Sequence, residues 1–160
     1  MEDSIKNILR NVTTVPKCGL PGTLVVFDSN AYPILTGDDT SSVVFAAAEV
    51  GLGRIFVTSH ELYIENFLNN TIELEPLWTN IKSWLTKGKG VLNHEIKSIE
   101  SYESVMDIPE DVRVVKWIGT QNKTELFITQ FLKKFITTGG SLICGVCPWG
   151  SFLLITFNIK

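Results

Sequence analysis

The stretch from Val112 to Val146 limits the fold more than any other part of the chain. Val112–Ile118 is apolar and rich in β-branched residues, the composition of a strand. Asn122-Lys123-Thr124-Glu125 has the form of a capping box with Asn at the cap. The helix it opens carries Phe127, Ile128, Phe131, Leu132, Phe135 and Ile136 on one side, with Lys133 and Lys134 in its last turns, and stops at Gly139-Gly140. Leu142-Ile143-Cys144 then starts another strand. Strand, helix and strand in this order read as a parallel, right-handed βαβ unit. The fold class that follows is α/β.

The earlier half adds an antiparallel part. Val43–Val50 is mixed in propensity: three alanines favour helix, whereas Val43, Val44 and Phe45 favour strand. The short link Gly51-Leu52-Gly53-Arg54 and the clear strand Ile55–Thr58 decide it as strand–turn–strand. Tyr32–Leu35 forms a short strand, which Pro33 places at an edge. Thr23–Phe27, apolar throughout, is expected to be a strand buried on both faces. Helices are expected at residues 2–12, from Ser59-His60-Glu61 to Phe67, and at 72–86. The last has an apolar face of Leu74, Leu77, Trp78, Ile81, Trp84 and Leu85, and Gly88 and Gly90 stop it. Residues 93–111 are polar and weakly patterned. The architecture expected is a mixed, partly parallel sheet flanked by helices. An N-terminal helix and linker (1–22) precede the α/β domain (23–149), and an apolar tail (150–160) follows.

With 160 residues, 44% hydrophobic and 19% charged, the chain is neither disordered nor of low complexity. Its net charge of -3 argues against a broad electrostatic grip on nucleic acid. The N-terminus lacks the basic start and apolar core of a signal peptide, and no run of about 18 apolar residues exists to span a bilayer. Three cysteines (Cys18, Cys144 and Cys147) do not make a secreted disulfide framework. The sequons at Asn11, Asn69 and Asn122 are then chance matches, and the expected location is cytoplasmic.

Several motifs carry candidate chemistry. Cys144-Gly145-Val146-Cys147 has the spacing of a thiol–disulfide motif, but Cys144 continues an apolar strand, and two packed cysteines explain the pattern better. Three cysteines cannot form a four-cysteine zinc site, and no metal site is expected. Gly145-Val146-Cys147-Pro148 has the outline of a nucleophile elbow. Pro148, however, offers no N–H to an oxyanion, and any base would have to be His60 or His94. Cys147 with His60 is therefore the weak catalytic candidate, a degenerate cysteine hydrolase. Ser59-His60-Glu61 sits where a strand meets a helix, the place where open α/β sheets build sites. Ser59 as an N-cap accounts for it without catalysis. Gly51-Leu52-Gly53-Arg54 precedes a strand and so reads as a hairpin turn, not as a phosphate loop. Asp38-Asp39 is a solvated turn. No cofactor is expected.

Three segments, Leu24–Leu35 (LVVFDSNAYPIL), Val43–Tyr63 (VVFAAAEVGLGRIFVTSHELY) and Thr138–Trp149 (TGGSLICGVCPW), occur in an order that resembles the N-terminal region of the TRP channel-associated factor family. The residues that carry the resemblance are Gly51, Gly53, Arg54, Ser59, His60, Glu61, Gly139, Gly140 and Trp149. It runs over residues 1–149 and is poorest over 87–111.

The resemblance implies a class I glutamine amidotransferase-like α/β domain without an evident catalytic triad. It implies a partner, an ion channel of the cold-sensing TRP melastatin type, whose delivery to the plasma membrane and gating family members regulate. The location implied is cytoplasmic, peripheral at the plasma membrane through that channel, without membrane insertion. Full-length members continue into an enhancin-type metallopeptidase-like domain, so no peptidase activity carries over to these residues. The tail after Trp149 departs from the family pattern. A domain incomplete at its C-terminus, a fragment with no independent role, is the alternative reading.

Overall fold

The structure is a computed structural model, and it describes residues 2–27, 29–38, 41–87, 96–118 and 125–145. In residues 125–131 only the side chain of Gln130 is described. Five strands form one sheet: β1 (Ala31–Thr36), β2 (Val43–Val50), β3 (Gly53–Thr58), β4 (Val114–Ile118) and β5 (Ser141–Gly145), in the order β1-β2-β3-β5-β4. Among the described residues four α-helices accompany it: α1 (Glu2–Ile8), α2 (Glu61–Leu68), α3 (Glu75–Leu85) and α4 (Glu125–Thr137). The polar stretch before β4 holds two single 3-10 turns, Ile99–Ser101 and Val105–Asp107.

β2 and β3 form the expected antiparallel hairpin, with Val50 opposite Gly53 across the two-residue turn Gly51-Leu52. Gly51 has φ 58, the positive value that a tight hairpin demands at its first central residue. β3, β5 and β4 are parallel, and α4 joins β4 to β5, which is the βαβ connection read from Val112–Val146.

Alternation along the strands divides the core. Phe56, Val114 and Ile143 point to one face, where α1, α2 and α3 pack with Ile64, Phe67, Trp78 and Ile81. Ile55, Val115, Leu142 and Cys144 point to the other face, against Leu132, Phe135 and Ile136 of α4. Aromatic rings order the first layer. Phe45 meets Tyr63 edge-on at 4.7 Å, and Phe67 stacks on Trp78 at 5.3 Å. Asn80, buried on α3, donates from Nδ2 to the carbonyls of Ile8 (3.1 Å) and Arg10 (2.7 Å), which fastens the end of α1 to α3.

β1 lies at one edge, as Pro33 indicated, and its ladder is irregular between Pro33 and Thr36. β4 lies at the other edge, where the Lys116 N–H donates to Lys97 O (2.9 Å) and Ser98 forms a parallel bridge with Lys116.

The strand expected at Thr23–Phe27 does not form. Leu24 makes a single bridge with Val43, while Val25 and Phe27 are 77% and 62% exposed. The segment runs beside β2 beyond the point where β3 has turned into α2, so residues 25–27 have no ladder to join. Asp39, Gly88, Gly90, His94, the expected cap at Asn122 and the tail at 150–160 lie outside the described residues, as do the side chains of Phe127, Ile128 and Phe131.

Candidate functional site: the two ends of the parallel strands

The residues singled out in the sequence separate to opposite ends of β3. At its carboxyl end, Thr58 lies opposite Gly145 of β5, and Thr58 Oγ1 donates to the carbonyls of His60 (2.9 Å) and Cys144 (3.4 Å). His60 then takes extended backbone angles (φ -153, ψ 137), and its Nδ1 accepts from the Leu62 N–H at 3.1 Å. The N-cap of α2 is therefore His60 and not Ser59. Capping by Nδ1 places the proton of a neutral ring on Nε2. Serine is the commoner cap by residue type, but at this corner the Ser59 backbone is engaged elsewhere. Its N–H donates to Val44 O (2.9 Å), and its carbonyl accepts from the Gly22 N–H (3.2 Å).

A strap of chain, residues 16–24, covers this corner. Gly19, at φ +65, presses on the His60 ring so closely that a Cβ there would lie 2.6 Å from Nε2. Cys18 is buried, and Asn66 Nδ2 donates to its Sγ at 3.2 Å. Tyr63 beside it has its phenol pushed above the ordinary range, first by burial. Ser59 Oγ and Glu61 Oε2 are buried without a hydrogen-bond partner among the described residues. Gly145 closes the other side, since a Cβ there would meet Ile64 Cδ1 at 2.8 Å and Glu61 Cα at 3.0 Å.

Cys144 is fully buried in β5, and burial pushes its thiol up to about 12. A thiol held that far from ionisation is neither a nucleophile nor a metal ligand at neutral pH. This agrees with the packed-cysteine reading of Cys144. Cys147 and Trp149 lie outside the described residues. Among the described residues no group of three or more His, Cys, Asp or Glu is placed to hold a metal ion.

At the amino end of the parallel strands, Gly51, Gly53, Arg54, Gly139 and Gly140 come together as one joint. α4 ends in a Schellman pattern: the Gly140 N–H donates to Phe135 O (2.9 Å) and the Gly139 N–H to Ile136 O (3.0 Å), with Gly139 at φ 112. The hairpin turn sits against this end, the Leu52 N–H donating to Thr137 O at 3.3 Å. A Cβ on Gly53 would fall 2.1 Å from Gly140 O and 2.3 Å from Ile136 O.

Arg54, one residue on, donates from a terminal guanidinium nitrogen to Trp84 O and lies over the Trp84 ring, 5.0 Å from its centroid. Ser141 Oγ donates to the neighbouring Leu85 O (2.8 Å), and Lys87 Nζ to Leu52 O. The last carbonyls of α3 are thus satisfied by side chains from β3 and β5, where a cation also suits the helix dipole. Sequence reasoning did not find this role of Arg54 and Ser141. They lie 30 and 56 residues from their acceptors, and no local pattern announces the pairing.

These features define a mixed α/β domain in which Gly53, Gly140 and Arg54 serve the framework. Over residues 1–151 the chain matches the family model described as "TRPM8, N-terminal domain", and it belongs to that family. Among curated proteins it is similar to TRPM8 channel-associated factor 1 of Homo sapiens, 27% identical over 154 residues, covering 89% of this chain and 16% of that protein. TRPM8 channel-associated factor 2 of Homo sapiens is 28% identical over 145 residues, covering 84% of this chain and 15% of that protein. TRPM8 channel-associated factor 3 of Mus musculus is 26% identical over 154 residues, with 89% and 16% covered. The chain thus spans about one sixth of the length of these relatives. No solved structure matches it. None of the described helices is long and apolar enough to cross a membrane.

Proposed function

We propose that this domain is a non-catalytic interaction module that binds an ion channel of the TRP melastatin type and regulates its delivery to the plasma membrane and its activity. The observation that carries this reading is the family match over residues 1–151, together with relatives that are named as TRPM8 channel-associated factors and not as enzymes. The joint at Gly53, Arg54 and Gly140 supports it, because the residues of the family pattern found there hold elements together. The buried, protonated thiol of Cys144 supports it too. An amidotransferase-like domain over 23–149, a helix and linker before it, and a cytoplasmic location beside the channel belong to the same proposal.

Co-precipitation of the tagged chain with TRPM8 from detergent-solubilised membranes tests it. Retention of the channel by the folded chain, and a change in surface-exposed channel on co-expression, is the expected result. A cooperatively folded chain that retains no channel would overturn it.

A further inference from the structure

We propose that His60 and the strap that covers it form an acid-sensitive latch: the neutral ring caps α2 and seats the strap, and protonation of the ring releases both. A neutral imidazole has a single acceptor nitrogen, and here it is Nδ1, which takes the Leu62 N–H at 3.1 Å. An imidazolium has none. A proton on Nδ1 would face that N–H head-on in the first turn of a helix, where the dipole also opposes a cation. The cap and the charged ring therefore exclude each other.

The ring cannot settle this conflict in place. It is 7% exposed, and a Cβ on Gly19 would lie 2.6, 2.8 and 2.9 Å from Nε2, Cε1 and Cδ2, so the strap rests against it. The strap is fastened on either side of Gly19. Asn66 Nδ2 donates to Cys18 Sγ (3.2 Å), the Tyr63 phenol bonds the Cys18 backbone, and the Gly22 N–H donates to Ser59 O (3.2 Å). A ring that gives up the cap has to leave its seat, and Gly19 moves with it.

An acceptor for the charged ring stands one residue away. Glu61 Oε2 is buried and has no hydrogen-bond partner among the described residues. The other titratable groups on the surrounding elements do not compete. Lys17 on the strap and Glu65 on α2 are exposed. Tyr63 and Cys144 are held protonated by burial, and Cys18 Sγ already accepts from Asn66. Val43–Phe45, at the adjoining end of β2, carry no charge. The closed latch holds the ring without its second proton, so closure is favoured at high pH and lost as pH falls. Opening uncovers the carboxyl ends of β3 and β5, the end at which open α/β sheets take their ligands.

The test follows the full chain, labelled with ¹⁵N and ¹³C, from about pH 8 to about pH 5, a span that covers histidine titration and stays above that of ordinary carboxylates. At the upper end a nuclear Overhauser effect should join the Gly19 α-protons to the His60 ring protons. Acid should abolish it, and the amide shifts of Gly19, Gly22 and Leu62 should move together with the His60 ring titration. His60→Asn keeps an acceptor for the Leu62 N–H but has no titrating ring, and should hold those amides still. His94→Asn should leave the response as it is. A Gly19–His60 contact that persists once the ring is protonated, strap amides that move equally in His60→Asn, a response lost in His94→Asn, or every amide shifting at once as in global unfolding would overturn the proposal. The wild-type spectra decide it even where a variant fails to fold.

Discussion

Gly53 and Gly140 approach so closely that a methyl group on Gly53 would stand 2.1 Å from the Gly140 carbonyl oxygen. The contact locks the β2–β3 hairpin to the turn between α4 and β5. Backbone lies on both sides, so no side chain can swing away to make room. Gly53→Ala is expected to destabilise the domain by about 2–4 kcal/mol. Gly139→Ala, where a Cβ would find only ordinary contacts and the cost is the positive φ, should lose about 1–2 kcal/mol. Urea unfolding of both variants checks the order; equal losses would refute the close-contact argument.

Arg54 caps a helix that is not its own. Arg54→Met keeps much of the stem but removes one donor to Trp84 O, which retains the Lys87 N–H at 3.0 Å, and removes the cation over the ring. A loss of about 1–2 kcal/mol follows from the missing charge-assisted hydrogen bond and cation–ring contact. Arg54→Lys should recover only part of it, since an ammonium cannot both reach the carbonyl and lie flat on the indole. Denaturant midpoints of the two variants give the comparison.

His60 is a helix cap by its geometry, its Nδ1 accepting from the Leu62 N–H. His60→Asn can still accept from the Leu62 N–H and should cost less than His60→Ala, for which about 0.5–2 kcal/mol is expected. Ser59→Ala should be neutral or stabilising, because it removes a buried hydroxyl that has no partner among the described residues. Thermal unfolding of the three variants would show whether Ser59 or His60 holds the cap.

Alkaline pH should unfold this protein through Cys144. Its folded-state value of about 12 exceeds the ordinary 9.0, so the unfolded chain gives up its proton first. The thiol's contribution is complete below about pH 9 and declines as pH rises through about 12, by at most about 1.4 kcal/mol per pH unit. Tyr32, Tyr63 and Tyr102, all raised chiefly by burial, act in the same direction above pH 10. Cys144→Ala should flatten the stability curve between pH 9 and 11; an unchanged slope would assign the loss to the tyrosines. Iodoacetamide should leave Cys144 unmodified in the native state and alkylate it in denaturant.

Phe27→Ser and Val25→Thr replace exposed side chains and should change stability by less than about 0.5 kcal/mol. Phe56→Ala, at a fully buried ring in β3, should cost about 3–5 kcal/mol. Were Phe27→Ser to destabilise comparably, the segment would be packed as the strand first expected.

The hairpin and the crossover could be read because their signals are local: a glycine turn between apolar runs, and a helix period closed by Gly139-Gly140. Residues 23–27 misled because β-branching records suitability for a sheet, not whether a neighbouring strand is present. Ser59 misled for a related reason. Residue preference ranks it above His60 as a cap, but the extended angles of His60 follow from where β3 stops against Val44 and Gly22. Gly53 and Gly140 could be read singly, as a turn and a helix stop, but their meeting in one joint with Arg54 could not. Its cause is a meeting of segments more than 80 residues apart, which no spacing rule encodes.

One feature of the sheet bears on how such a domain can associate. At β1, Pro33 supplies no N–H and the ladder loses its regular step before Thr36, while at β4 the backbone of Lys97 and Ser98 already occupies Lys116. Neither margin offers the uninterrupted row of donors and acceptors that a visiting strand would need. A strand added at either margin would therefore meet a broken ladder, which works against copies of the domain zipping into a continuous ribbon.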